Sequence, residues 1–245
     1  MNPDILKLQS IINFSYKIVF FGGAGVSTES GIQDFRSVNG LYHQKYRYPP
    51  ETIISHHFFE ENPVDFFEFY NHKMLILDKE PNECHRKLVE LERTGKLTMV
   101  ITQNIDGLHY KAGSKKVCEL HGSVLRNYCT RCGKFVSGEE LKHTLETVSI
   151  PHCARCGAVV KPDVVLYEES LKNEDIETAI KAIEECDTLI VGGTSLVVYP
   201  AAGLIRHFKG KHLVLINLDE TPFDNMATLI IRDKIGNVFS QLDIK

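Results

Sequence analysis

The sequence predicts an open, mostly parallel α/β sheet with a smaller metal-binding unit set into it, and two observations carry that prediction. Four short apolar runs end abruptly in small polar residues: Lys17 to Phe21 into Gly22-Gly23-Ala24-Gly25, Leu97 to Ile101 into Thr102-Gln103-Asn104-Ile105-Asp106, Leu189 to Val191 into Gly192-Gly193-Thr194-Ser195, and Leu213 to Ile216 into Asn217-Leu218-Asp219. Segments of helical period separate them. Such alternation marks parallel strands covered on both faces, with ligands bound at the carboxyl ends of strands where the strand order reverses. The second observation is a pair of CxxC motifs, Cys129/Cys132 and Cys153/Cys156, which enclose 20 residues and are each followed by glycine.

Composition sets the bounds. The chain has 245 residues, 43% hydrophobic and 24% charged, enough for one large domain or a domain with an insert. No apolar run approaches the roughly 20 residues that span a bilayer, and the opening MNPDILKLQS lacks a basic-then-apolar leader, so a cytoplasmic chain is expected. A net charge of -4 argues against a general nucleic-acid binder. Between Lys111 and Lys161, however, nine Lys or Arg face four Glu, a local charge of +5. That excess can offset a negative metal-thiolate site or face an acidic partner. Seven cysteines in such a chain point to metal or thiol chemistry rather than disulfides.

In chain order, Ile5, Leu6, Leu8, Ile11 and Ile12 give a helix over residues 3 to 14 ahead of the first strand. Gly22, Gly23 and Gly25 let the backbone bend and approach a phosphate, although Thr28 stands where the dinucleotide fingerprint wants its third glycine. A ligand-free tight turn is the competing reading, but Ser27, Thr28, Ser30, Asp34 and Arg36 make the segment more polar than such a turn needs. Nearly 60 residues separate the first two strands, too many for a plain crossover, which implies a helical insertion. Asn62-Pro63 opens one of its helices, carrying Val64, Phe66, Phe67, Tyr70, Met74, Leu75 and Leu77. Asn82 caps the next, with Leu88, Val89 and Leu91 inward and Gly95 at its end. Later helices span 173 to 186, capped by Asn173, and 200 to 209, between Pro200 and Gly210.

The two CxxC pairs supply four thiolates with no open position, the ligand set of a structural tetrahedral zinc site. Between them Ser137-Gly138-Glu139-Glu140 fits a capping box. Cys84, Cys118 and Cys186 lack partner spacing and read as buried thiols, with His152 a disfavoured spare ligand. Gln103, Asn104, Asp106, His109 and His121-Gly122 form the remaining polar constellation. Imidazole suits general-base work near neutral pH, and on the residues alone His109 competes with His121 for that role.

Taken together and in order, GAGVSTESGIQDFR, TQNIDGLH, His121-Gly122, the cysteine pairs, KPDVV, GTSLVVYPA and INLDETPFD give a chain that resembles the sirtuins, NAD-dependent protein deacylases, from about residue 5 to the end. The resemblance implies a Rossmann-like domain of about residues 1–36, 82–122 and 162–245. A small domain would take a helical insertion, 37–81, and the zinc module, 123–161. NAD and acyl-lysine peptide would enter between the two.

By the resemblance, Gly23, Ala24, Gly25, Thr28 and Arg36 belong to the NAD loop and Phe35 covers the reactive ribose and nicotinamide. Gln103 contacts a ribose, Asn104 orders water and ribose, and Ile105 and Asp106 receive the nicotinamide amide. Gly193, Thr194, Ser195 and Asn217 hold the phosphate and adenosine side, with Asp233 and Ile235 nearby. His121 is the general base, with Asn104 beside it in catalysis. Val164, Val165, Tyr167 and Glu168 lie along the substrate strand, and Tyr70 and Lys73 at the acyl group.

The implied activity is deacetylation, with the acetyl group transferred to ADP-ribose and nicotinamide released, by a monomer acting on acetylated proteins. Lys73 stands where succinyl-preferring sirtuins carry Arg, which favours acetyl over succinyl. Gln33 replaces a usual proline, and Tyr167-Glu168-Glu169 replaces an aromatic-Gly-Glu pattern, so that a carboxylate beside the substrate strand favours basic flanking residues. Removal of other acyl groups, protein ADP-ribosylation and a non-catalytic NAD and zinc adaptor are the alternatives.

Overall fold

A computed structural model describes residues 2–35 and 40–244; the expectation for Arg36 lies outside the described residues. The strands are β1 (Ile18–Gly22), β2 (Leu97–Thr102), β3 (Val117–Glu119), β4 (Gly122–Cys129), β5 (Phe135–Ser137), β6 (Val160–Val164), β7 (Thr188–Gly192), β8 (His212–Ile216) and β9 (Leu229–Ile231). Among the described residues, six of them form a parallel sheet in the order β3-β2-β1-β7-β8-β9. The order reverses between β1 and β7, so their carboxyl ends open a crevice there. No helix among the described residues is long and apolar enough to cross a membrane.

Alternation along β1 divides the core. Ile18 and Phe20 join a cluster with helices α1 (Pro3–Phe14) and others introduced below, whereas Val19 and Phe21 join the cluster on the opposite face. Both faces are covered, which is why these strands read as continuous apolar runs. Each fully buried Phe or Leu here contributes about 2 kcal/mol from burial.

The insertion carries α2 (Pro50–Ile53), α3 (His56–Glu61) and α4 (Pro63–Phe69), the last opened by Pro63 after Asn62. Here the fold departs from expectation: α4 ends at Phe69 and passes into a π-helical turn, Tyr70–Met74, and Val64 is exposed. These helices supply Phe58, Phe59, Phe66, Phe67 and Phe69 to a third cluster, which also holds Val124, Cys129 and Val160 from the antiparallel sheet β5-β4-β6 and Cys153 from the loop before β6. An aromatic core therefore joins the insertion to the cysteine module.

Next, α5 (Glu83–Arg93) is capped by Asn82, whose side chain accepts from Cys84 N while the His85 ring accepts from Asn82 N, and Gly95 follows it at φ +78°. Then come α6 (Leu108–Ala112) and α7 (Gly138–Thr144), the latter opened by the Ser137–Glu140 capping box read from sequence. For α8 (Asn173–Glu185), Asn173 is the first helical residue rather than the cap, which falls at Lys172 with no side-chain bond. The segment read as helix over 200 to 209 is instead a 3-10 helix, Ala201–His207. Finally α9 (Ile235–Ser240) packs beside α1 and α5 on the face that holds Phe20.

Candidate active site

Two glycine turns cross at the sheet's reversal point. Gly23 N donates to Gly192 O at 3.2 Å and Gly25 N to Gly193 O at 2.8 Å. A Cβ on Gly25 would lie 2.8 Å from Gly193 Cα, and Gly193 itself has φ +60°. Backbone against backbone leaves no space for side chains. The contact sets Ala24, Gly25 and Thr28 against Gly193, Thr194 and Ser195 as walls of a cleft of about 470 Å³. Gly23 lies outside that lining, beneath it, where a Cβ would strike the Thr194 side chain.

The carboxyl end of β2 brings the next group. Gln103 N donates to Gly22 O at 2.9 Å, and its side-chain amide reaches Thr194 Oγ1 at 3.2 Å. Asn104 Nδ2 donates to Ser27 Oγ at 3.0 Å, and that hydroxyl donates to Asp106 Oδ2 at 2.6 Å. Asp106 also accepts from Leu108 N, while burial raises its carboxyl above the usual range. Ser27 thus ties the two polar side chains together. It was visible in the sequence only as one of several hydroxyls in a polar loop.

His121 lies on the same wall, after β3. Its Nδ1 sits 3.0 Å from Gln103 O. A carbonyl can only accept, so Nδ1 carries the proton and Nε2 keeps its lone pair. Burial lowers the ring's pKa below its ordinary value, which keeps it neutral with the Nε2 lone pair free to accept a proton. His109, the rival on residue type, is buried between Phe20 and His85 with neither nitrogen partnered, and it does not line the cleft.

Ile105 completes that wall, and Val164, Val165, Tyr167 and Glu168 form the facing rim. Val165 N donates to His121 O at 3.0 Å, which fixes the rim to the histidine backbone. Phe35 stands at the mouth, edge-on to Tyr42 at 5.6 Å. At the far end lie Asn217, Asp233 and Ile235, with Asp233 accepting from Lys234 N and Asn237 Nδ2.

Tyr70 and Lys73 depart from expectation, since neither lines the cleft. Tyr70 is fully buried, stacked on Phe66, because the π-turn rolls it into the aromatic core. Lys73 Nζ is held by Gln44 Oε1 at 3.1 Å, 5.8 Å from the centre of the Tyr46 ring. Gln44 in turn donates to Gln33 at 2.9 Å.

Away from the cleft, the four Sγ atoms of Cys129, Cys132, Cys153 and Cys156 lie within 4.8 Å of one another. The Cys129–Cys156 and Cys132–Cys153 separations are 3.4 and 3.7 Å. A tetrahedral zinc with bonds of about 2.3 Å requires sulfurs about 3.8 Å apart, so the cluster fits the ion. His152 instead approaches Gly157 O, and Cys84, Cys118 and Cys186 are buried elsewhere.

The Sir2 family model matches residues 23–200. An NAD-dependent protein deacetylase of Clostridium acetobutylicum is 57% identical, covering 96% of each chain. That of Clostridium perfringens is 56% identical over 99% of each. Among solved structures, a Sir2 protein with a deacetylated p53 peptide and 3′-O-acetyl-ADP-ribose superposes with a TM-score of 0.89 at 38% identity, covering 96% of both chains.

Proposed function

We infer, from the premise that the chain belongs to the Sir2 family, that it is an NAD-dependent protein deacetylase. It transfers the acetyl group of acetyl-lysine to ADP-ribose, releasing nicotinamide and the free lysine amine. The observation that carries this reading is the pinned His121, whose Nε2 lone pair belongs to a neutral ring in a cleft walled by two crossed glycine turns.

NAD supplies the electrophilic ribose carbon and the nicotinamide leaving group. The chain's own residues do the rest. His121 Nε2 takes the proton of a ribose hydroxyl, so that this oxygen can accept the acetyl group. Gln103 and Asn104 orient the ribose, while Ile105 and the Ser27-bonded Asp106 receive the carboxamide of nicotinamide. Gly23, Ala24, Gly25 and Thr28 form the phosphate loop with Gly193, Thr194 and Ser195 opposite, and Phe35 covers the reacting end. Asn217, Asp233 and Ile235 take the adenosine side.

On the substrate side, the strand through Val164, Val165, Tyr167 and Glu168 pairs with the peptide backbone. Tyr70 and Lys73, outside the cleft, contribute nothing that would select a carboxylated acyl group. The four cysteines hold a zinc ion whose role is to fix the β5-β4-β6 module. The separate aromatic core of that module and the insertion supports a division of the chain at about residues 36, 82, 122 and 162. The reading includes a cytoplasmic, monomeric enzyme with no nucleic-acid partner.

Incubating the chain with NAD and an acetyl-lysine peptide, and following products by mass, tests the reading. Wild type should yield nicotinamide and O-acetyl-ADP-ribose, whereas His121→Ala should bind NAD yet slow turnover by roughly 10²- to 10⁴-fold. Binding of NAD with no acetyl removal by the wild type would refute deacetylation.

A further inference from the structure

The segment Val165 to Glu169 forms a strap between His121 and the helical insertion. Its first amide is bonded to the His121 carbonyl. Further along, Tyr167 N donates to Ile54 O at 3.0 Å and His56 N to Tyr167 O at 3.0 Å, a parallel bridge between Tyr167 and Ser55. The Tyr167 and Tyr42 hydroxyls meet at 2.9 Å. Glu169 bonds back to Leu166 N at 2.9 Å, and its carboxylate reaches His56 Nδ1 at 2.8 Å and Lys161 Nζ at 3.1 Å.

One link in this set is out of place. Glu168 has φ +74°, a left-handed conformation that costs every residue except glycine and persists only where its surroundings impose it. Its side chain supplies the reason. Glu168 Oε2 accepts from His57 N at 3.0 Å, an amide in the first turn of α3 that has no carbonyl partner within its own helix. Ser55 Oγ already serves the neighbouring Phe58 N, so the helix start is capped once locally and once from 111 residues away. A charged acceptor at an amide of a helix's first turn makes a strong bond.

We propose that Glu168 is a positioning residue for the protein substrate: its carboxylate clamps the substrate-binding strap to α3 and holds the strap's edge in register with His121 before the peptide arrives. The proposal rests on the deacetylase reading for what the strap binds. A preformed edge lowers the ordering cost of peptide binding and leaves the chemical step alone. NAD, which enters against the glycine turns on the other wall, is insensitive to it.

The test uses the full chain and three variants. Glu168→Gly removes both the left-handed cost and the clamp, Glu168→Ala removes the clamp alone, and Glu168→Gln keeps an oxygen acceptor for His57 N. On an acetyl peptide with uncharged flanks, where the Glu168 charge itself selects nothing, the expected result is a peptide KM raised at least fivefold in Gly and Ala, with kcat and the KM for NAD within twofold of wild type, and a KM in Gln at least twofold below that of Ala. Peptide KM unchanged in Gly and Ala, or raised equally in Gln, would overturn the proposal, as would parallel losses in kcat and NAD affinity.

Amide hydrogen exchange gives an independent readout. His57 N–H should exchange at least tenfold faster in Glu168→Gly than in wild type, and equal rates would refute the clamp. A wild-type chain without activity on acetyl peptide would sink the deacetylase reading, but the exchange comparison would still decide whether the clamp exists.

Discussion

The Nδ1 of His121 points at the carbonyl oxygen of Gln103, 3.0 Å away, and this contact decides which nitrogen can act as a base. Burial pulls the ring's pKa below its ordinary value of 6.5, only partly opposed by that hydrogen bond. The base therefore stays neutral to lower pH than a free imidazole. The acid limb of kcat/KM for acetyl peptide should have its midpoint below pH 6.5, with activity lost as pH falls through it. A limb centred above 6.5 would show that the ring is stabilised as a cation instead.

The buried His85–His109 pair makes a stability prediction. Their rings are 4.7 Å apart, and burial, helped by Arg86, lowers His85 to about 4, while burial and then His85 lower His109. For a histidine whose folded pKa is depressed, the unfolded chain binds protons first. Stability is thus full above pH 6.5 and is lost as pH falls toward the folded value. His85 alone should cost roughly 2 kcal/mol between pH 7 and pH 5, read by urea unfolding. His85→Gln removes the titration yet suits the third position of the Asn82 capping box, so it should shrink that loss.

How much of this was legible beforehand depended on distance along the chain. The strand ends at Gly22, Thr102, Gly192 and Ile216 showed because parallel strands buried on both faces read as plain apolar runs. Caps at Asn82 and Ser137 showed because a cap bonds two or three residues on. What stayed hidden was long-range. Nothing local separates His109 from His121, since packing against Phe20 decides it, and nothing near Tyr70 announces the π-turn that buries it. The ion group in which Arg126 bridges Glu119 and Asp163, with Lys172 also on Asp163, joins residues up to 53 apart. Glu168 showed as an odd residue at a glycine position, but not as a cap on α3.

Zinc removal should undo one part of the fold. The β5-β4-β6 sheet is small and depends on Cys129 and Cys153 for part of its buried core. Binding energy for such an ion is on the order of 10 kcal/mol, most of it realised as folding energy. Cys132→Ser should lose the expected one zinc per chain, measured by mass spectrometry, and should lose activity along with it. Retained activity in a zinc-free variant would show that the module stands without the ion.

Acyl preference follows from where Lys73 is held. Its ammonium is bonded to Gln44, which is bonded to Gln33 at the cleft, and Tyr70 offers no exposed hydroxyl. So held, Lys73 does not line the cleft to meet a succinyl carboxylate. Catalytic efficiency on an acetyl peptide should exceed that on the matched succinyl peptide by at least tenfold, and the reverse order would mean that Lys73 swings free to meet the substrate.

Sequence preference around the acetyl-lysine turns on the other function of Glu168. One carboxylate oxygen is engaged by His57 N, but the residue stays exposed at the rim of the cleft, with its carboxylate open to solvent. A substrate strand laid along Val165 to Tyr167 passes that charge. Lys or Arg in the flanks should therefore be favoured over Asp or Glu, by a few-fold in kcat/KM. An exposed pair of this kind is worth about 1 kcal/mol or less and is screened by salt. Raising salt from 50 to 500 mM should compress the ratio, and Glu168→Gln should abolish it while leaving the clamp in place. Equal rates for basic and acidic flanks at low salt would remove the carboxylate from substrate selection and leave it only its hold on α3.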